Sequence, residues 1–119
     1  MTISEARVQL EGVLAAGGLR VLPAGAASPP SVFVTQGTPW TAPAQLGARA
    51  RHLRWVIVGI VAPSSEASIA EAEALAEAVD LACAALPAPW GMPTVETPGL
   101  LALAGTPYLA FRATIETVI

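Results

Sequence analysis

One histidine (His52), one cysteine (Cys83) and one aspartate (Asp80) are nearly all this chain offers toward nucleophilic chemistry. A nucleophilic enzyme needs a nucleophile, a base and a group that orients the base. Here His52 lies in a basic stretch, whereas Asp80 and Cys83 lie together on a later, helix-like segment. Paired carboxylates of the glycosidase kind must converge across a cleft, yet most acids here share one segment. A metal site of carboxylates plus His52 has no ligand spacing behind it. Gly17-Gly18 and Gly91 make no phosphate loop, because G-x-x-x-x-G-K-[ST] is absent. Cys83 falls on the apolar side of its segment and reads as a buried, inert thiol. Being single, it excludes an internal disulfide and a Cys-rich metal cluster. The chain is therefore expected to be a non-enzyme without catalytic residues, metal or cofactor.

What remains chemically distinctive is the distribution of charge. Arg49, Arg51 and Arg54 flank His52 in RARHLR, and Glu66, Glu71, Glu73, Glu77 and Asp80 follow on the next helix-like segment. Those residues hold more than half the formal charge of a chain with 6 basic residues, all arginine, and 9 acidic ones. Arginine makes planar, bidentate contacts suited to interfaces. The three arginines can thus reach carboxylates of a neighbour, or they can simply solvate the exposed start of an apolar strand. The acids of one helix face, with no cation four residues away, repel one another by a few tenths of a kcal/mol per pair. A neighbour's arginines would relieve that repulsion; a face turned toward passing DNA would use it; a solvated face needs neither.

The bulk numbers agree with a surface that is partly covered. Charged residues make up 13%, about half the usual ~25%, so part of the surface is suited to burial in an assembly. The competing reading is an alanine-rich, lysine-poor genome. A net charge of −3 argues against wrapping nucleic acid, which needs excess Lys and Arg. Trp40, Trp55 and Trp90 lack the basic interleaving of a base-stacking platform. Residues 1–16 carry Glu5, Arg7 and Glu11 and are too polar for a secretory signal. The apolar run Trp55–Ala62 falls far short of the ~20 residues that span a bilayer. A soluble, intracellular protein without a membrane partner is expected, with residues 1–119 forming a single domain.

Positioning these groups falls to a short list of elements. Thr2–Ala16 reads as a helix, with Thr2 and Glu5 at capping-box spacing, Ile3, Ala6, Leu10, Val13 and Leu14 as its apolar stripe, and Gly17-Gly18 as its stop. Leu19–Leu22 is a short extended piece and Ser31–Gln36 a strand, followed by an irregular loop from Gly37 to Gly47. Arg51–Ala62 is the strongest strand; apolar on both faces, it should be central and covered on both sides, by the chain's own helices and by a second subunit. Pro63-Ser64-Ser65 is a turn, with Ser65 or Ser68 capping a helix over Ser68–Leu86 whose buried stripe is Ile69, Ala72, Ala76, Val79, Cys83 and Leu86. A strand near Leu100–Ala104 and a final strand Pro107–Val118 form a hairpin across Gly105-Thr106. The sum is an α+β domain with two helices packed on a mixed, mainly antiparallel sheet. Trp55 belongs to the core, while Trp40 and Trp90, in Pro-flanked loops, are interface candidates.

In this order of elements the chain resembles the tail terminator proteins of long-tailed bacteriophages (siphophages). The resemblance covers nearly the whole length: an N-terminal helix, PPSVFVTQG, RHLRWVIVGIV, SIAEAEALAEAVDLACAAL and GLLALAGTPYLAFRATIETVI. The alanine-rich, lysine-free composition is similar to that of phages of high-GC actinobacterial hosts. The resemblance implies a structural virion protein, assembled in the host cytoplasm. It would form a ring, usually a homohexamer, that caps the tail tube and meets the head-neck connector or stopper protein, with DNA passing through the lumen without specific binding. Its partners would be its own copies, the major tail tube protein and the neck. Another neck or tail-completion protein shares this layout, and a small-molecule-binding α+β domain is the alternative of a different class. No family motif transfers residue by residue. The expected interface residues, Arg49, Arg51, Arg54, Glu73, Glu77, Asp80, Trp40 and Trp90, rest on the charge and aromatic placement above.

Overall fold

Two helices lie on one face of a six-stranded sheet in the computed structural model, which describes residues 1–24, 28–44, 49–62 and 66–119, the side chains of 66 and 67 aside. The elements are α1 (Ile3–Ala16), β1 (Val21–Leu22), β2 (Ser31–Pro43), β3 (Arg51–Val61), α2 (Glu66–Cys83), β4 (Thr94–Val95), β5 (Gly99–Leu103) and β6 (Thr106–Val118). Strand order is β1-β2-β3-β6-β4, with β5 also on β6. β1 runs parallel to β2 and every other pairing is antiparallel, so the α+β fold with a mixed sheet is as expected.

β3 is the centre of this arrangement. It pairs with β2 along one edge and with β6 from His52↔Val118 to Val61↔Leu109 along the other. Its odd-numbered side chains, Leu53, Trp55 and Ile57, join Val32, Val34, Phe111, Ala113 and Ile115 beneath the helices. Its even-numbered ones, Val58 and Ile60, are buried with Phe33 and Ala110 on the other face. The run WVIVGIV thus meets the expectation of a strand desolvated on both sides. The chain's own helices cover one of those sides only.

α1 begins where the Glu5 N–H donates to Thr2 Oγ1 at 3.1 Å, and it buries Ala6, Leu10 and Leu14. Full burial of each leucine contributes about 2 kcal/mol. α2 starts at Glu66, before the expected Ser68, and Ser68 is buried within it rather than capping it. The expected turn Pro63-Ser64-Ser65, and a cap at Ser65, lie outside the described residues. Ile69, expected in the buried stripe, is exposed, whereas Ala72, Val79, Ala82 and Cys83 are buried. The stripe that packs therefore begins one turn later than the spacing suggests.

The expected loop from Gly37 is corrected. β2 continues to Pro43, its ladder to β3 resuming at Thr41↔Leu53 after a bulge in which residues 37–40 stand against Arg54 alone. Pro39 and Pro43 are compatible with a strand because this stretch is an edge, where a missing N–H breaks no ladder. β4 was not expected; its two residues pair with Thr114 and Ala113.

The hairpin between β5 and β6 turns on Ala104-Gly105, with φ of +50° and +80°. Positive φ at both central residues marks a type I′ turn, in which Gly is at ease and Ala is strained. Ala104→Asn should therefore raise the unfolding free energy by about 0.5–1 kcal/mol in urea titration. Gly59 presents the opposite case: it pairs with Phe111, and a Cβ there would overlap the buried Phe111 ring. Gly59→Ala should lower stability by about 1–3 kcal/mol in the same assay.

Candidate functional site

β3 and β2 carry the basic end of the molecule. Arg49 and Arg51 are exposed there. The Arg51 backbone is bonded both ways to Ile119, at 3.0 and 2.9 Å, and its Nη2 donates to Thr41 Oγ1 at 3.2 Å. The sheet ladder thus fixes where Arg51 stands, and among the described residues no carboxylate pairs with its charge. His52, between Ala42 and Val118, is half-buried beside it.

Arg54 differs from its neighbours. Its Nε donates to Glu116 Oε1 at 2.7 Å, its Nη2 bonds the same oxygen, and its Nη1 reaches Thr38 O at 3.1 Å across the β2 bulge. It is the cross-strand partner of Glu116 in the β3–β6 register. Arg54 was expected to reach a second subunit; instead, its charge is neutralised within the chain. Both side chains remain over one-third exposed, so the pair adds at most about 1 kcal/mol.

The acids lie on a different part of the surface. Glu71, Glu73, Glu77 and Asp80 are exposed on α2, and among the described residues none of them forms an ion pair. Ion pairing inside the chain is confined, among those residues, to Arg54 with Glu116 and to Arg7 with Glu11 at 3.4 Å. Arg49 and Arg51 are therefore not brought to Glu73, Glu77 or Asp80 within one copy.

The two candidate tryptophans separate. Trp40 is 39% exposed, on β2 rather than in a loop, and stands edge-on to Trp55 with ring centroids 5.8 Å apart. The buried Trp55 ring also carries the Arg7 guanidinium, 5.5 Å from its centroid. Trp90 is only 9% exposed; its Nε1 donates to Gln9 Oε1 at 2.9 Å, and the ring is part of the core between α1 and the sheet. The expectation of Trp90 as a partner contact is corrected, because its polar handle is satisfied by α1 and its apolar body is already covered.

The helix-free face of the sheet forms a groove of about 830 Å³, with Phe33, Val56, Val58 and Leu103 among its apolar lining and Arg54 and Arg112 among its charges. Arg112 is exposed and unpaired among the described residues, and Glu96 lines the same groove. The groove can hold an apolar group with a charged end, but its one acid and two arginines give it no strong net charge once Arg54 is paired with Glu116. His52 lies at the start of β3 and Cys83 at the end of α2. Among the described residues no three of His, Cys, Asp and Glu converge as metal ligands, and no helix is long and apolar enough to cross a membrane. Neither a scan against known protein-family models nor a search of curated proteins finds a match to this chain.

Cys83 is buried, and its thiol is pushed up from 9.0 to about 11, by burial first and by the Asp80 carboxylate second. As pH rises, the unfolded thiol ionises before the native one, so the native state holds the extra proton and stability falls between those two values. Unfolding free energy should drop by up to about 3 kcal/mol across that window. In Cys83→Ala this contribution should vanish, and no lysine titration overlies it.

Proposed function

We propose that this chain is a structural virion protein of a long-tailed phage, a tail terminator whose copies close into a ring that caps the tail tube and joins it to the neck. One observation carries this reading: the exposed charges of the basic stretch and of α2 are segregated and, among the described residues, unpaired. Arg49 and Arg51 stand at one end of the sheet, and Glu73, Glu77 and Asp80 on the outer side of α2, with no ion pair among them within the chain. Two different, complementary patches on one subunit favour head-to-tail contacts, which close into a ring when the rotation between copies permits. The elongated shape, 49 × 26 × 22 Å, suits a segment of such a ring.

In this reading Trp40, at the basic end, touches the tail tube or the neck, where an aromatic half-exposed beside arginine gives a strong contact. The duct formed by the ring passes DNA without holding it, in keeping with the net charge of −3. The groove on the helix-free face supports a second reading, a small-molecule-binding α+β domain; such a protein would be monomeric and would take up a ligand there.

Mass measurement and negative-stain imaging at low salt test the proposal. The expected result is a ring several times the 12.1 kDa of the chain. Reversing Arg49 and Arg51 to Glu should weaken assembly at least about tenfold, and adding Glu73→Arg with Glu77→Arg should restore it. A chain that stays monomeric at low salt, or an assembly indifferent to the arginine reversals, would overturn the proposed contact.

A further inference from the structure

The two edges of the sheet are treated very differently by the sequence. On the β1–β2 side the open ladder is closed off piece by piece. β1 covers Val32 and Phe33, Arg7 Nη2 donates to Val34 O at 2.7 Å, and Pro39 and Pro43 occupy the stretch beyond. These are the usual ways of preventing stray strand addition. On the other side, β5 has none of them. Gly99-Leu100-Leu101-Ala102-Leu103 contains no charge and no proline, and Leu100 is 70% exposed.

The register says which backbone groups are free. Across a two-residue turn Leu103 and Thr106 exchange hydrogen bonds, and antiparallel pairs then alternate between bonded and non-bonded. Leu101↔Tyr108 and Gly99↔Ala110 are bonded pairs, whereas Ala102↔Pro107 and Leu100↔Leu109 are not. Pro107, which has no N–H to give, stands in a non-bonded position, as this assignment requires. The N–H and C=O groups of Leu100 and Ala102 therefore point away from β6, and among the described residues no backbone group meets them.

We propose that β5 is a strand-addition site whose occupant is β5 of a second copy. The two strands run antiparallel about a two-fold axis, with Leu101 opposite Leu101 of the second copy. The free groups sit one residue to either side of Leu101. An antiparallel copy thus places Leu100 opposite Ala102, donor to acceptor, in both directions. With no charge in the strand, self-pairing opposes no like charges. The blunted β1–β2 edge offers no comparable ladder, so the matching edge on a second copy is β5 itself. The joined strands carry the apolar lining at Leu101 and Leu103 from one groove into the next.

This contact is independent of the charged ring contact, and salt separates the two: about 1 M salt shortens the screening length to ~3 Å and suppresses the charged one only. Under that condition sedimentation should find the chain at about 24 kDa, twice its 12.1 kDa, and Ala102→Pro at half that mass with unchanged far-UV circular dichroism. Ala102→Pro removes an outward donor and leaves the β5–β6 bonds intact. Arg49 and Arg51 reversals should leave the high-salt dimer unaltered. As a direct check on register, oxidised Leu101→Cys should cross-link to a dimer on a non-reducing gel, whereas Leu100→Cys should not. The buried Cys83 stays silent in that assay. A wild-type monomer at high salt, or a Leu101→Cys chain that does not cross-link, would overturn the proposal; the first would leave β5 to a strand of another protein.

Discussion

Burial of β3 on both faces, with a neighbour bonded along each edge, is the constraint from which the rest of this molecule follows. A strand with Leu53, Trp55, Ile57, Val58, Ile60 and Val61 all buried needs its polar backbone paired on both sides, because an unpaired buried amide costs about 1–3 kcal/mol. β2 and β6 supply that pairing and must be long to do so. Their length makes the sheet extended, and both helices pack over the same face of it.

Much of the chemistry of the surface then follows from where β3 starts. Its first residues stand beyond the apolar core, so Arg51 stays exposed while its backbone is locked to Ile119. Three residues on, Arg54 lies between the β2 bulge and β6, where Thr38 and Glu116 take up its donors. Alternation along one strand thus divides a basic stretch into a free part and a satisfied part. The satisfied part anchors the bulge that carries Trp40 next to Trp55.

Local signals were legible where the physics is local. The Thr2 cap, the α1 stripe, the apolar run of β3 and the hairpin of β5 with β6 all depend on residues a few positions apart. The misreadings share a different cause. Pro39 and Pro43 read as loop residues because proline is excluded from a paired interior strand, yet their outer side is an edge. Trp90 read as exposed because it is flanked by Pro89 and Gly91, yet it is buried by α1, with Gln9 accepting its N–H from 81 residues away. Arg54 read as a partner-seeking charge because Glu116, its cross-strand neighbour, lies 62 residues along the chain. Ile69 read as core because spacing defines a helix's apolar arc more broadly than the part the sheet covers.

By itself, then, the sequence determined the element types, the α+β class, the centrality of β3 and the burial of Cys83, since periodicity, capping and desolvation act through neighbouring residues. Only the tertiary structure decided which charges are satisfied, which tryptophan is covered and which sheet edge is left open. Those outcomes depend on strand register and on which face the helices choose, and register is settled by contacts between segments far apart in the chain.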